Sequence, residues 1–563
     1  MHGHRPPTRA GSATTRPARG PLPRLTMPDP PSPSRESLLD RLAAAAAGGK
    51  AFDLVVIGGG ATGLGVALDA AARGFSTAVL EADDFAKGTS SRATKLVHGG
   101  VRYLAQGRIG LVREALRERR LLLANAPHLA RPLPFVLPAY GWRGRLWDRW
   151  IQAAGLGLYD LLAGDAGIGR TRLVGRRELL ATAPGLRERG LVGGVRYWDG
   201  QFDDARLAVA LARTAIARGA VAINHCRVVG LRAGGDGRLR GVEAEDRQTG
   251  QRLVVAARCV VNATGVWVDG VRRLDDPAAG DLVAPSQGVH LVVERRFFPA
   301  EEALLVPRTA DGRVLFVVPW EGKALIGTSD TPRRDLPLEP RPFPEEVDFI
   351  LAEAARYLAT PPARSDVLSA WAGLRPLVKP ARGGGDTSRI SREHAIVVSR
   401  SGLVTVTGGK WTTYRSMAED VLAKCFAQGL LPARPAGVTR RLRLVGAPEA
   451  APALPLSAPP GLQLYGTEAD DVAALPGAAR EILPGLTEAM VRFAVRREYA
   501  LTVEDVLARR SRWLFLDARR AAAAAGAVAA VMAEDLGATF DAAGSAAAFE
   551  RLAAGYLLDG SDG

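Results

Sequence analysis

Asp53-Leu-Val-Val-Ile57 runs straight into Gly58-Gly-Gly60-Ala-Thr-Gly63, and an apolar stretch to Arg73 follows. Four consecutive aliphatic residues that run into a glycine turn read as a buried parallel strand. The stretch from about Thr62 reads as a helix that Gly74 ends. Ser76-Thr-Ala-Val-Leu80 makes a second strand that closes on Glu81. Together these form a βαβ opening. Gly58-x-Gly60-x-x-Gly63 alone matches many turns, but here it follows a strand and opens a helix, and Glu81 comes 18 residues after the last glycine. The glycines allow a tight turn and close approach of a pyrophosphate, the helix N-terminus stabilises its charge, and Glu81 accepts from ribose hydroxyls. The stretch predicts dinucleotide binding on a Rossmann-like α/β fold. A glycine turn that merely packs leaves the placement of Glu81 unexplained.

Two further glycine turns bear on which dinucleotide. A strand ending Cys259-Val-Val-Asn262-Ala263-Thr264-Gly265 has the pattern of a late crossover that sets backbone beside a dinucleotide already held by the first half. Leu403-Val-Thr-Val-Thr407-Gly408-Gly409-Lys410 precedes a helix from about Thr412. Two glycines before a helix start leave N–H donors and a positive dipole end, suited to negative charge on the pyrimidine edge of a reduced flavin. The three pieces together favour FAD. Short apolar runs at 253–261, 289–293, 314–318 and 395–398 alternate with loops and predict a second, sheet-rich layer inserted after the nucleotide-binding start.

The chain has 563 residues, 47% of them hydrophobic, a formal charge of +15 and three cysteines. At roughly 150 residues per domain, several domains with large cores are expected, which excludes a disordered chain or a disulfide-stapled miniprotein. Cys226, Cys259 and Cys425 lie far apart without metal-ligand spacing, so a reducing compartment and no metal site are expected. The longest apolar run, 521–532, is too short to cross a bilayer. Of the 74 basic residues 67 are Arg and seven Lys, a bias that beside abundant Ala and Gly reads as a GC-rich genome. Five arginines fall in the first 26 residues, and the rest are scattered without a basic stripe or aromatic platform, so no nucleic-acid partner is expected.

Residues 1–50 read as a disordered Arg/Pro-rich tail, with the composition of a transit peptide and equally of an upstream-extended start whose initiator is Met27. Residues 51–431 read as one large domain that joins the FAD-binding opening to the sheet-rich insert. Residues 432–460, dense in Pro and Ala, read as a linker. Residues 461–563 are almost wholly helical in pattern, with a capping box at Thr502-Val-Glu-Asp505, and predict a separate all-α domain.

Between the first two glycine turns lies Gly88-Thr89-Ser90-Ser91-Arg92-Ala-Thr94-Lys95-Leu-Val-His98-Gly99-Gly100-Val-Arg102-Tyr-Leu104, which packs hydroxyls, cations and paired glycines into seventeen residues. Together with Gly373-Leu-Arg375-Pro376-Leu and with Gly408-Gly409-Lys410 before Thr413-Tyr414, this run resembles the FAD-dependent, quinone-linked glycerol-3-phosphate dehydrogenases of the glycine/D-amino-acid-oxidase-like flavoproteins. The similarity runs from about Phe52 into the C-terminal part, where Arg496-Arg-Glu-Tyr-Ala-Leu-Thr502 through Arg509-Arg510 is similar to that family's C-terminal domain. The resemblance implies a Rossmann-like FAD-binding domain with an inserted β-rich substrate domain, plus the C-terminal all-α domain. It implies oxidation of sn-glycerol 3-phosphate to dihydroxyacetone phosphate by hydride transfer from C2 to FAD N5, with electrons passed to a membrane quinone.

A phosphate monoester is nearly dianionic at neutral pH and calls for planar cationic forks. The resemblance implies that Arg102, Arg375, Arg392 and Lys410 surround the substrate, and that His290 in Ser286-Gln-Gly-Val-His290 takes the hydroxyl proton. Lys410 and Arg375 are then electrostatic partners in catalysis. The implied cofactor-binding residues are Gly58, Gly60, Gly63, Glu81, Thr89, Ser90, Ser91, Lys95, His98, Gly99, Ala263, Gly265, Gly409 and Thr412. Because lysine is rare, Lys95 and Lys410 inside glycine-rich motifs carry more weight than any arginine, although a scaffold role for Lys95 stays open. His2, His4, His128 and His225 read as surface or packing residues. Where family members often carry Tyr-Ser before Gly-x-Arg-Pro, this chain has Trp371-Ala372, and Glu393-His394 follows Arg392 in place of an acid and Tyr; both departures bear on substrate choice. Open alternatives are a glycerol-3-phosphate oxidase using O2, an amine or amino-acid oxidase of the same fold and, last, a non-catalytic flavin-binding subunit.

Trp147, Trp150, Ile151, Ala154, Leu158 and Leu161 fall on one face at helical spacing with arginines opposite, which predicts contact with anionic lipid; an ordinary helix packed on the sheet is the alternative. The expected setting is cytoplasmic and peripheral on the inner face of a bacterial membrane, with mitochondrial targeting by the tail as the alternative. A homodimer stays open.

Overall fold

The computed structural model describes residues 33–47, 49–99, 107–141, 149–310, 312–379 and 394–558. The aliphatic run Phe52–Ile57 lies between Arg252–Asn262 and Thr77–Leu80, parallel to both, and Val404–Gly408 is parallel to Arg252–Asn262 on its far side. Val221–Ile223 extends one edge, and His394–Val398 closes the other in antiparallel sense. With the hairpin of Cys226–Ala233 and Leu239–Asp246 the first sheet has eight strands among the described residues. A parallel centre must be covered on its faces. The apolar helix Ala61–Ala72 does this together with Asp204–Ala217 and Tyr414–Ala427, both of which pack against it.

The second sheet has ten strands among the described residues. Val283–Glu294 pairs antiparallel with Lys323–Gly327 and with Val367–Val378, and Ala130–Tyr140 pairs with Leu191–Phe202. Leu96–Val97 joins this sheet, so the segment from Glu81 to Lys95 crosses from one sheet to the other. Of the four runs expected in the inserted layer, 289–293 and 314–318 lie there, whereas 253–261 and 395–398 belong to the first sheet. An apolar run announces a strand, but its partners are set by distant chain.

The helices after residue 461 share a core with the second sheet and do not close on one of their own. Phe493, Leu514, Phe515 and Phe549 are buried in one cluster with Leu96, Phe135, Trp320 and Trp371. The Pro-rich stretch 432–460 is fastened to the same sheet: the Glu321 amide donates to the Leu456 carbonyl and the Gly322 amide to the Ser457 carbonyl, each at 2.9 Å. The capping box forms reciprocally, the Asp505 amide donating to Thr502 Oγ1 at 3.2 Å and the Thr502 amide to the Asp505 carboxylate at 3.0 Å.

The expectation of disorder through residue 50 is corrected for 35–47, which form the helix Arg35–Ala47. Leu38 and Leu42, one helical turn apart, are buried, and Arg35 donates to Asp246 at 2.6 Å and to the Asn224 carbonyl at 2.8 Å. One apolar stripe and one ion pair dock the segment, which composition averaged over the tail conceals. Residues 1–32 lie outside the described residues. Helix Arg149–Ala163 buries Leu156 and Tyr159 and exposes Trp150, Leu158 and Leu161, the last by 75%. Trp147 lies outside the described residues. No helix among them is long and apolar enough to cross a membrane.

Candidate active site

Phe52–Ile57, Arg252–Asn262 and Val404–Gly408 are adjacent and parallel, so their C-terminal ends meet at one edge of the sheet, and each runs into one of the three glycine turns. That edge is where parallel sheets bind ligands. Gly58 has φ +107°, and a Cβ on it would lie 2.8 Å from the Ala263 carbonyl oxygen. At Gly63 a Cβ would run into the Gly58 carbonyl. The first turn is thus pressed onto the second on one side and onto its own helix on the other. Glu81, at the end of the neighbouring strand, accepts from the Gly59 amide at 2.6 Å and from the Asp83 amide at 2.9 Å. Burial pushes its carboxyl up to about 7 against the pull of those two amides.

The hydroxyl-rich segment is sewn to the same edge. Ser90 Oγ accepts from the Ala61 amide at 2.9 Å, Trp411 Nε1 donates to the Ser90 carbonyl at 2.9 Å, and Thr412 Oγ1 accepts from the His98 amide at 3.2 Å. Thr89 Oγ1 donates to the Leu374 carbonyl at 2.6 Å, and Thr407 Oγ1 to the Gly265 carbonyl at 3.1 Å. Gly60 lies against Ser90, and Gly409 against Met417, where a Cβ would collide with the sulfur. The Gly99 amide is taken by the Tyr159 hydroxyl at 2.8 Å, so this amide faces the helix Arg149–Ala163. A cradle closed to side chains at Gly58 and Gly63, beside a helix N-terminus and a strand-end acid, fits a dinucleotide.

Lys95, read with the cofactor residues, is turned inward. Its φ is +64° and its side chain is fully buried. The ammonium donates to both Asp204 oxygens at 2.8 Å and to the Ser91 carbonyl at 2.9 Å. Burial and the Arg512 guanidinium push it down to about 7, opposed by Asp204. Arg512 donates to the same two acceptors, at 2.7 Å to Ser91 and 3.1 Å to Asp204. This is a scaffold beneath the hydroxyl loop, and half of it comes from the C-terminal helices.

Ser286, Gly288 and His290 alternate onto one face of their strand, opposite Arg375, Gly373 and Trp371. Arg375 reaches over Gly288, where a Cβ would collide with the guanidinium. It donates to Thr328 Oγ1 at 2.7 Å and to the Gln287 carbonyl at 3.2 Å, with Asp330 at 3.4 Å. The His290 ring stacks on Trp371 with centroids 4.3 Å apart. Its Nε2 lies 2.9 Å from Thr94 Oγ1, and its buried Nδ1 has no hydrogen-bond partner among the described residues. Burial first, then Arg375 and Lys95, hold the imidazole well below the usual histidine range, so the ring is neutral. The tryptophan that departs from the family pattern lies directly against this ring. Lys410 is half-buried at the turn after Val404–Gly408, and its carbonyl accepts from the Thr413 amide at 3.1 Å. Arg102 and Arg392 lie outside the described residues.

A second charge cluster escaped the sequence. Asp84 is buried between Arg509 and Arg510; Arg509 also holds Asp505 at 2.7 Å, and His225 Nε2 closes on Asp505 at 3.0 Å. Asp84, His225 and Asp505 come close enough together to suggest a cation site, but guanidiniums already engage both carboxylates. The cluster instead ties the loop after Glu81 to the C-terminal helices. The only advance signal was the adjacent Arg509-Arg510 pair.

Residues 53–415 match the family described as FAD dependent oxidoreductase, and 438–542 match the C-terminal domain of alpha-glycerophosphate oxidase. The chain is 41% identical over 520 residues to the mitochondrial glycerol-3-phosphate dehydrogenase of Homo sapiens, covering 86% of this chain and 70% of that protein. It is 41% identical over 504 residues to the probable mitochondrial glycerol-3-phosphate dehydrogenase of Dictyostelium discoideum, covering 83% and 78%. The glycerol-3-phosphate dehydrogenase of Bacillus halodurans, solved with FAD, superposes with a TM-score of 0.74 at 31% identity over 93% of this chain and 98% of that one. With the glycine cradle and its strand-end acid in place, the chain belongs to the FAD-dependent glycerol-3-phosphate dehydrogenase family.

Proposed function

We propose that this protein oxidises sn-glycerol 3-phosphate to dihydroxyacetone phosphate and delivers the electrons to a membrane quinone. The observation that carries the reading is one loop, residues 89–95, that links the dinucleotide cradle at Ser90 to the neutral histidine at Thr94. Gly58, Gly60, Gly63, Glu81 and the turn 408–412 would hold FAD, which when bound supplies the acceptor for the C2 hydride. Arg375 and Lys410, joined by Arg102 and Arg392, would meet the phosphate dianion. Arg375 is among the charges that depress His290, so a dianion bound against it raises the basicity of the ring as substrate arrives. His290 then takes the hydroxyl proton, Lys410 stabilises the developing oxyanion, and the Trp371 stack keeps the imidazole oriented.

The exposed apolar face of Arg149–Ala163 supports peripheral attachment to anionic lipid, where quinone dissolves. The placement proposed is the inner face of a bacterial cytoplasmic membrane. The relatives from Homo sapiens and Dictyostelium discoideum are mitochondrial by name, which supports a mitochondrial setting as the second reading. The C-terminal family takes its description from an oxidase, which favours oxygen as the second reading for the acceptor.

The purified protein is expected to be yellow, and anaerobic glycerol 3-phosphate to bleach the flavin band where amino acids do not; no bleaching with this substrate overturns the reading. Quinone reduction against oxygen consumption at the same substrate concentration separates the acceptors. His290→Gln and Lys410→Met are each expected to slow flavin reduction by about 100-fold or more.

A further inference from the structure

We propose that Thr94 is a catalytic residue whose hydroxyl relays the proton of the substrate C2 hydroxyl to Nε2 of His290. The inference rests on the reading of His290 as the base. His290 is only 2% exposed, Trp371 covers one face of its ring, and Nδ1 is buried. Its Nε2 is already engaged by Thr94 Oγ1. A substrate hydroxyl therefore meets the imidazole only through that oxygen. Thr94 itself is partly exposed, and among the described residues its Oγ1 makes no other hydrogen bond. A threonine hydroxyl has one proton and two acceptor lone pairs, so it can donate to Nε2 while accepting from the substrate.

The residues on both sides of Thr94 are pinned to one carboxylate. The Ala93 amide donates to Asp204 at 2.9 Å and the Lys95 ammonium to the same group at 2.8 Å, while Arg512 reinforces Asp204 from the other side. A side chain held between two such anchors keeps its geometry without reorganising during reaction, which is what a relay requires. In the step, the substrate O–H bond breaks toward Thr94 Oγ1 and the original Thr94 proton passes to His290 Nε2. The C2 hydrogen would leave as hydride, taking the C–H electron pair, to the FAD that the glycine cradle would hold, and C2–O becomes a carbonyl. The substrate loses two electrons, the cofactor gains them, and Thr94 ends neutral beside an imidazolium.

The test is anaerobic stopped-flow reduction of the holoenzyme flavin by glycerol 3-phosphate in mixtures of H2O and D2O. Thr94→Val is expected to slow the limiting rate by about 100-fold at unchanged flavin content, and Thr94→Ser to restore most of it. The parental isotope effect is expected to curve with deuterium content, as two protons in flight require. Nitrogen NMR of the substrate-free holoenzyme is expected to show the Nε2 hydrogen bond lost in Thr94→Val and kept in Thr94→Ser. A Thr94→Val enzyme as fast as its parent, a Thr94→Ser enzyme as slow as Thr94→Val, or an isotope effect that is absent or linear overturns the relay. If His290→Gln keeps the parental rate, the base reading fails and takes the relay with it. If His290→Gln is slow and Thr94→Val is fast, the relay alone fails.

Discussion

Gly58 is a position where one methyl group has nowhere to go. Its φ of +107° and the Ala263 carbonyl both oppose a Cβ, so Gly58→Ala is expected to cost about 1–3 kcal/mol and to lower bound FAD, read by denaturant unfolding and by the flavin-to-protein absorbance ratio. Glu81 carries a pH signature. With its folded carboxyl at about 7 through burial and the unfolded value near 4.5, the folded chain binds more protons than the unfolded one between those limits. The flavin-free protein therefore loses stability as pH rises through that window, and Glu81→Gln is expected to flatten the slope in pH-dependent unfolding. Lys95 shares Asp204 with Arg512 at complete burial, so Lys95→Met is expected to destabilise by about 3–5 kcal/mol in the same measurement. The glycine fingerprint and its acid could be read in advance because a tight turn constrains its own residues. The inward turn of Lys95 could not, because one positive φ decides which way the side chain leaves the loop.

The helix Arg149–Ala163 is amphipathic in two directions. Leu156 and Tyr159 face the body, where Tyr159 reaches the Gly99 amide, while Trp150, Leu158 and Leu161 face solvent. Replacing Trp150 and Leu161 together by Glu is expected to abolish flotation with anionic liposomes while leaving the unfolding free energy within about 0.5 kcal/mol of the parent, since neither side chain is buried. The six-residue spacing pattern showed that a helix with an apolar stripe was present. It did not show the second, buried stripe, because that stripe is defined by what packs on it: Val112 and Leu116 cluster with Tyr159, while Leu156 joins the core of the second sheet. The helix Arg35–Ala47 was hidden for a related reason: its alanine-rich sequence has little pattern until Leu38 and Leu42 find the first sheet.

The C-terminal helices complete the interior of the catalytic part. Phe515 packs edge-on against Trp371, which stacks on His290, and Arg510 and Arg512 reach Asp84 and Ser91. A chain ending at residue 460 is therefore expected to yield no soluble yellow protein, and the full chain to unfold in one cooperative transition followed by both tryptophan and flavin fluorescence. A helical pattern with a capping box was enough to foresee these helices, and the box forms as written. Strand, glycine turn, helix start and cap could all be read along the chain because each is set by residues within a turn or two of one another. The union of two sheets by residues 81–95, the shared core, the convergence of Lys95, Asp204 and Arg512, and the meeting of Thr94 with His290 across 196 positions were not legible there. Those contacts exist because burying the aromatic and aliphatic faces of distant segments brings them together, and the polar groups carried with them must then find partners.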